Sequence, residues 1–190
     1  MRRDNQRKKV YRAEDAAFES HEEANERVET VEDIEAYVRY VFGLKRVQNA
    51  FPKAMPKGAS SFSGWQVPRV GDGRHRRRAG ATPYAIFMPR RARHKWVVLH
   101  ELAHTISLRI DSRIAGHGWE YCETYLLLVR YALGVEAHDL LKASFKKHRV
   151  KFRAPRKRRE LTAEERAALV ERMRKARAAR GASEVMGVAA

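Results

Sequence analysis

The chain has 190 residues, 44% of them hydrophobic and 33% charged, and its 40 Lys and Arg against 23 Asp and Glu give a formal charge of +17. That length suits one compact domain plus tails and is short for two, while the mixture excludes a collagen-like or wholly disordered chain, and no run approaches the roughly 18 apolar residues of a membrane span. Cys122 is the single cysteine, which excludes an intrachain disulfide, and the basic opening residues lead into no apolar signal segment, so the expected location is a reducing cytoplasm.

From Val10 to about Phe42, the residues Ala17, Val28, Val31, Ile34, Val38 and Val41 fall largely at helical spacings, and NERVET interrupts them with a turn and an N-cap at Thr30. Two helices are predicted. Pro, Gly and Ser in FPKAMPKGASSFSG, residues 51–64, make a loop. WQVPRV and YAIFMP are short β-rich runs, and GDGRHRRRAGATP between them carries glycine turn chemistry and an exposed arginine strand or loop, which predicts a small antiparallel sheet. From Arg93 to about Ile110, Val97, Val98, Leu102, Ala103 and Ile106 trace one apolar helix face. Gly116 then marks a loop before a helix over roughly residues 117–133, and EAHDLLKASFKKHRV predicts a further short helix. After APRKRR, the segment LTAEERAALVERMRKARAARG opens with Thr162 and Glu165 at capping-box spacing, then has too few large apolar side chains for a core. The expected organisation is one domain over 1–150 and a basic helical or partly disordered tail over 151–190, with no internal repeat.

Between Val67 and Trp96 lie Arg69, Arg74, Arg76, Arg77, Arg78, Arg90, Arg91, Arg93 and Lys95, opposed only by Asp72. A second basic run, KKHRVKFRAPRKRR, ends at Arg159, whereas ESHEEANERVETVEDIEAYVR is acidic. Charge gathered this way fits nucleic-acid contact through the basic loop and tail, and it fits a solvated surface equally well. Trp65, Trp96 and Trp119 are able to stack on bases, but their apolar neighbours place them in the core.

HELAH sets His100 and His104 four residues apart, so on a helix their rings lie one turn apart on one face, where they can share a metal ion. In this arrangement Glu101 does not ligate. It takes a proton from the attacking water, whose pKa the ion lowers to about 7, and delivers it to the leaving group. WVVLHELAHTI supplies the flanks of a buried helix, where two imidazoles and a carboxylate would be costly without a metal or hydrogen-bond partners. A catalytic zinc takes three protein ligands and leaves a fourth position open. Ser107 and Ile110 stand where the metzincin pattern requires Gly and His, which excludes that class. The remaining candidates are His117, Glu120 and Glu123. His117 is favoured, because Gly116 and Gly118 flank it and residues 105–116 allow the chain to turn back; Glu120 is the alternative, as in gluzincins. His21, His75, His94, His138 and His148 lie in charged or amphipathic contexts and are expected to be solvated or satisfied, and Cys122 is expected to be a small buried residue.

HELAH followed by HGWEY resembles the HExxH and HG-x-x-aromatic arrangement of SprT-like and related minimal zincins, in which the histidine of the second helix is the third zinc ligand. RDNQRKKVYRAEDAAF together with this motif is also similar to a family of short metallohydrolases of actinobacteria and their phages, a likeness that spans roughly residues 3–135. The reaction of that family is itself inferred from its zinc motif. The resemblance implies an α+β fold, a minimal zincin-like metallopeptidase with N-terminal helices, a small antiparallel sheet and two ligand-bearing helices. It implies Zn2+ as cofactor, His100, His104 and His117 as ligands and Glu101 as general base, in a host cytoplasm if the gene is a phage's. Tyr121 stands where the minimal zincins more often carry Phe, and the spacer over residues 105–116 is long. The expected function is zinc-dependent hydrolysis of peptide bonds in a peptide or protein substrate. Three alternatives stand beside it: a DNA-associated SprT-like protease, a non-enzymatic nucleic-acid-binding protein with a structural zinc, and a toxin-like or host-takeover peptidase of a mobile element. Glu101 argues against the structural site, which needs no base.

Overall fold

Thr30 starts its helix by a reciprocal cap: its hydroxyl accepts from the Asp33 amide at 3.0 Å, and the Asp33 carboxylate accepts from the Thr30 amide at 3.3 Å. In this computed structural model, which describes residues 4–54, 67–155, 160 and 162–186, that helix is preceded by α1 (Arg7–Phe18) and the single-turn α2 (Glu22–Asn25). It is α3 (Val31–Gly43), and the short α4 (Lys45–Ala50) follows. Three helices therefore stand where the periodicity predicts two, and α4 lies between them and the predicted loop. His21 Nδ1 caps the Ala24 amide at 3.2 Å and creates α2, and an extended residue at Leu44 breaks α4 away from α3. Residues 55–66, with Trp65 and most of the predicted loop, lie outside the described residues.

The sheet corrects the sequence expectation. Strands β1 (Arg69–Asp72), β2 (Gly80–Ala81) and β3 (Ala85–Met88) lie in the order β1-β3-β2. β2 and β3 pair antiparallel through the close turn at Pro83, with Ala81 opposite Ile86, but β1 runs parallel to β3, with Val70 opposite Ile86. The sheet is mixed, not antiparallel, because the arginine loop carries the chain from β1 to the far edge of β3, and the turn after β2 then returns it in the direction of β1.

Helix α5 (Lys95–Ile110) packs against this sheet and against α6 (Trp119–Ala132), and α7 (Gly134–Lys147) joins α6 to α1. Val98, Leu99, Leu102, Ala103 and Ile106 are fully buried, and so nearly are His100, Glu101, Thr105 and Ser107. The helix is enclosed on almost every side, where its sequence predicts a single apolar face. Gly134, at φ +89°, turns the chain from α6 into α7 in a left-handed conformation that costs other residues about 1–2 kcal/mol.

The chain divides into two compact units, Met1–Ala154 and Pro155–Ala190. The second holds α8 (Ala163–Met186), which opens on the Thr162 and Glu165 capping box: the Glu165 carboxylate accepts from the Thr162 amide at 2.9 Å and the Thr162 hydroxyl accepts from the Glu165 amide at 3.2 Å. No helix among the described residues is long and apolar enough to cross a membrane.

Candidate metal centre

Three imidazoles converge although they come from two parts of the chain. His100 and His104 project from α5, and His117 sits in the turn ahead of α6, two residues before Trp119 rather than on the helix itself. His104 Nε2 lies 3.1 Å from His100 Nε2, and His117 Nε2 lies 3.4 Å from the same atom. One ligand atom from each lies within 4.8 Å of the others, and among the described residues these three side chains are the group placed to hold a metal ion. Glu120 is half-buried and outside the trio, and Glu123 is exposed.

The N-terminal segment orients the rings. Glu14 on α1 places Oε1 2.6 Å from His100 Nδ1, and Asp4 places Oδ2 2.8 Å from His117 Nδ1. With Glu14 and Asp4 ionised and accepting, the ring protons of His100 and His117 sit on Nδ1 and their Nε2 lone pairs turn toward His104, an arrangement that a cation between the rings would stabilise. The Gln6 amide donates to the His117 carbonyl at 2.7 Å and to the Lys151 carbonyl at 2.9 Å, which fixes the histidine turn against the end of the first unit. Aromatic rings pack around the imidazoles: Tyr121 stacks on His104 at 4.2 Å, and Tyr11 stands 5.5 Å from His100 and 5.2 Å from His117. The Tyr121 hydroxyl donates to the His100 carbonyl at 3.4 Å, a bond that Phe at this position would lack.

The donor set fits a zinc-like cation. Tetrahedral ligation with Zn–N bonds of about 2.05 Å separates ligand atoms by about 3.4 Å, close to the 3.1 and 3.4 Å observed here. Burial pushes all three histidines below their ordinary range, so they are neutral and carry free lone pairs for coordination. Burial also lifts two neighbouring carboxyls, Glu14 well above the usual range and Glu101 up to about 7. Glu101 keeps one buried oxygen, Oε2, without a hydrogen bond among the described residues. Without an ion, burial favours the protonated, neutral form of both carboxyls, and a divalent ion at the Nε2 atoms would favour their ionised forms.

Glu101 also separates two clefts. One, of about 230 Å³, is lined by Tyr11, Glu101, His104 and Gly116; the other, of about 420 Å³, by Tyr11, Glu14, His100 and Glu101 together with arginines of the β1–β2 loop. The two share Tyr11, Ala79 and Glu101.

No family model, curated protein or solved structure matches the chain. The site therefore rests on its own geometry. Of the other histidines, His21 caps α2, His94 Nδ1 lies 2.8 Å from the Asn25 carbonyl, and His138 pairs with Asp139. Cys122 is buried, and burial pushes its thiol up, away from a nucleophile. Sequence reasoning misses Asp4, Gln6, Tyr11 and Glu14 as parts of the site. One signal for Glu14 is present: it falls on the apolar stripe of Val10, Ala13, Ala17 and Phe18, where a lone carboxylate requires a buried partner.

Proposed function

We propose that the chain is a zinc-dependent metallohydrolase with a zincin-like site, and that it hydrolyses peptide bonds. The observation that carries the reading is the meeting of three imidazole nitrogens with Glu101 at the junction of two clefts. Three protein ligands leave one position open, whereas a structural site closes with four. A zinc ion held by His100, His104 and His117 would supply Lewis acidity, lowering the pKa of a water in the open position to about 7.

The remaining work belongs to the chain. Glu101 takes the proton from the attacking water and passes it to the departing amine nitrogen, a role suited to a carboxyl whose buried surroundings lift it to about 7. Glu14 and Asp4 hold the Nδ1 protons of His100 and His117 and so keep both Nε2 lone pairs turned inward. Tyr121 and Tyr125, fully buried, exclude water from behind the rings. Peptide as substrate is supported by the likeness of HELAH and HGWEY to SprT-like minimal zincins and by two clefts that together take an extended chain. A separate targeting role for the tail, through contact with nucleic acid, is supported by the exposed Arg172, Arg174, Lys175 and Arg177 of α8.

Metal analysis by mass spectrometry tests the centre. The purified chain is expected to hold about one zinc, to lose it in His100→Ala and His104→Ala, and to keep it in Glu101→Gln while peptide turnover disappears. Loss of metal in Glu101→Gln as complete as in the histidine variants would remove Glu101 from the role of base.

A further inference from the structure

Seven of the nine Lys and Arg side chains over residues 69–95 divide into two sets. Arg93 is buried and donates to the Met88 carbonyl, the Glu29 carbonyl and the Asp72 carboxylate. Arg74 pairs with Asp72 at 2.8 Å, Lys95 pairs with Glu26 at 2.6 Å, and the Arg76 guanidinium lies over the Phe87 ring at 4.2 Å. Arg74, Arg76 and Arg93 hold the sheet and its loops together, and Lys95 ties the start of α5 to the end of α2. Arg77, Arg78 and Arg91 are different: all three are exposed, and none pairs with a carboxylate among the described residues. All three line the 420 Å³ cleft that also holds His100 and Glu101.

We infer that this cleft selects substrates with acidic side chains next to the bond to be cut, and that Arg77, Arg78 and Arg91 are the residues that select them; the inference rests on the peptidase reading of the same site. Uncompensated cations on a concave, partly apolar wall focus a positive potential into the cleft. A guanidinium also offers carboxylates a planar, two-pronged donor set. Asp15 is the one exposed carboxylate on this lining, and it stands against three arginines. The positive surface continues past the cleft, since Arg91 also borders a second depression lined by Arg74, His75, Arg76 and Arg90. An acidic stretch leaving the cleft on that side meets cations along its path. The volume of about 420 Å³ suits a few residues of extended chain. Because the arginines share a wall with His100 and Glu101, the anion they bind lies beside the reacting bond. That placement favours carboxylates of the substrate chain itself over a separate polyanion.

The test uses the full zinc-loaded chain carrying Glu101→Gln, so that peptides bind without being cut. Fluorescein-labelled peptides identical except for Glu, Gln or Lys at the positions flanking the central bond are titrated by anisotropy at low and high salt. The Glu peptide is expected to bind about tenfold more tightly than the Gln peptide at low salt, with the Lys peptide weakest and the difference shrinking as salt rises. Adding Arg77→Gln, Arg78→Gln and Arg91→Gln together should erase the preference with zinc content unchanged. Equal binding of the Glu and Gln peptides, or a preference that survives the triple change, would overturn the inference. So would a single-stranded oligonucleotide that binds more tightly than the Glu peptide, competes with it and depends on the same arginines. Acid-selective binding that depends on the three arginines, combined with cleavage of no peptide by the wild-type chain, would sustain their selection of acidic chains and overturn the peptidase reading instead.

Discussion

His100 and Arg78 line the same cleft, but one is almost wholly buried and held by a carboxylate 86 positions away, while the other is exposed and pairs with no carboxylate among the described residues. At the histidines the orienting contacts are supplied by the fold, so the geometry exists before any ligand arrives, and the cost is the desolvation of polar groups gathered at one buried point. The arginines impose little geometry in advance; they contribute potential and adapt to what enters. The first arrangement suits chemistry, which fails when an atom moves by an ångström. The second suits selection among related chains, where several weak contacts are enough.

The largest break in that contrast should come from the third histidine. His117→Ala is expected to weaken zinc binding by well over the 10–100-fold typical of changes behind a metal ligand, and Glu120→Ala to leave it nearly unchanged. Competition against a chromophoric chelator measures both, and the reverse order would make Glu120 the ligand. Next come the carboxylates behind the rings. Glu14→Gln and Asp4→Asn should each lower zinc affinity about 10–100-fold. The Glu14 change should be the greater, since its side chain is fully buried and that of Asp4 is 28% exposed. If both variants bound zinc as the wild type does, the histidines would not need their partners.

Tyr121→Phe probes the site more gently. It removes one buried hydrogen bond to the His100 carbonyl and leaves the ring stack on His104, so denaturant unfolding should show a loss of about 1 kcal/mol with zinc stoichiometry intact. Smallest of all for the metal site is removal of residues after 155, which should leave zinc content and the unfolding midpoint of the remaining unit as they were. If the tail binds nucleic acid, the same truncation lowers affinity for duplex DNA and flattens its salt dependence by about 0.9 in log–log slope for each phosphate that is no longer neutralised. Unchanged DNA affinity and slope would leave the tail a solvated extension.

The parts of this molecule that sequence alone discloses are those governed by local spacing. The cap at Thr30, the cap at Thr162, the motif helix and the placing of His100 and His104 on one face all follow from residues within four positions of each other. His117 is within reach because glycines flank it. The direction of β1 is not legible, since alternation along a strand is the same whichever neighbour it joins. Asp4, Gln6 and Glu14 stay hidden for a related reason: their partners at the histidines lie 86 to 113 positions away, and only the packing of α1 against α7, and of α7 against α6, brings them to the rings. The basic stretch misleads in a different way. Its residues look equivalent in sequence, yet Arg93 is a buried strut and Arg91, two positions earlier, faces the cleft.

Gln6 joins the His117 carbonyl to Lys151 by hydrogen bonds at both its amide nitrogen and its carbonyl oxygen. In a chain made from one end to the other, residue 6 leaves the ribosome early and must wait for residue 151 before this knot can close. The motif helix emerges in between, with its histidines present but one orienting strand of the site still inside the exit tunnel. A nascent chain thus carries HELAH before the contact that ties the His117 turn to Lys151 can form.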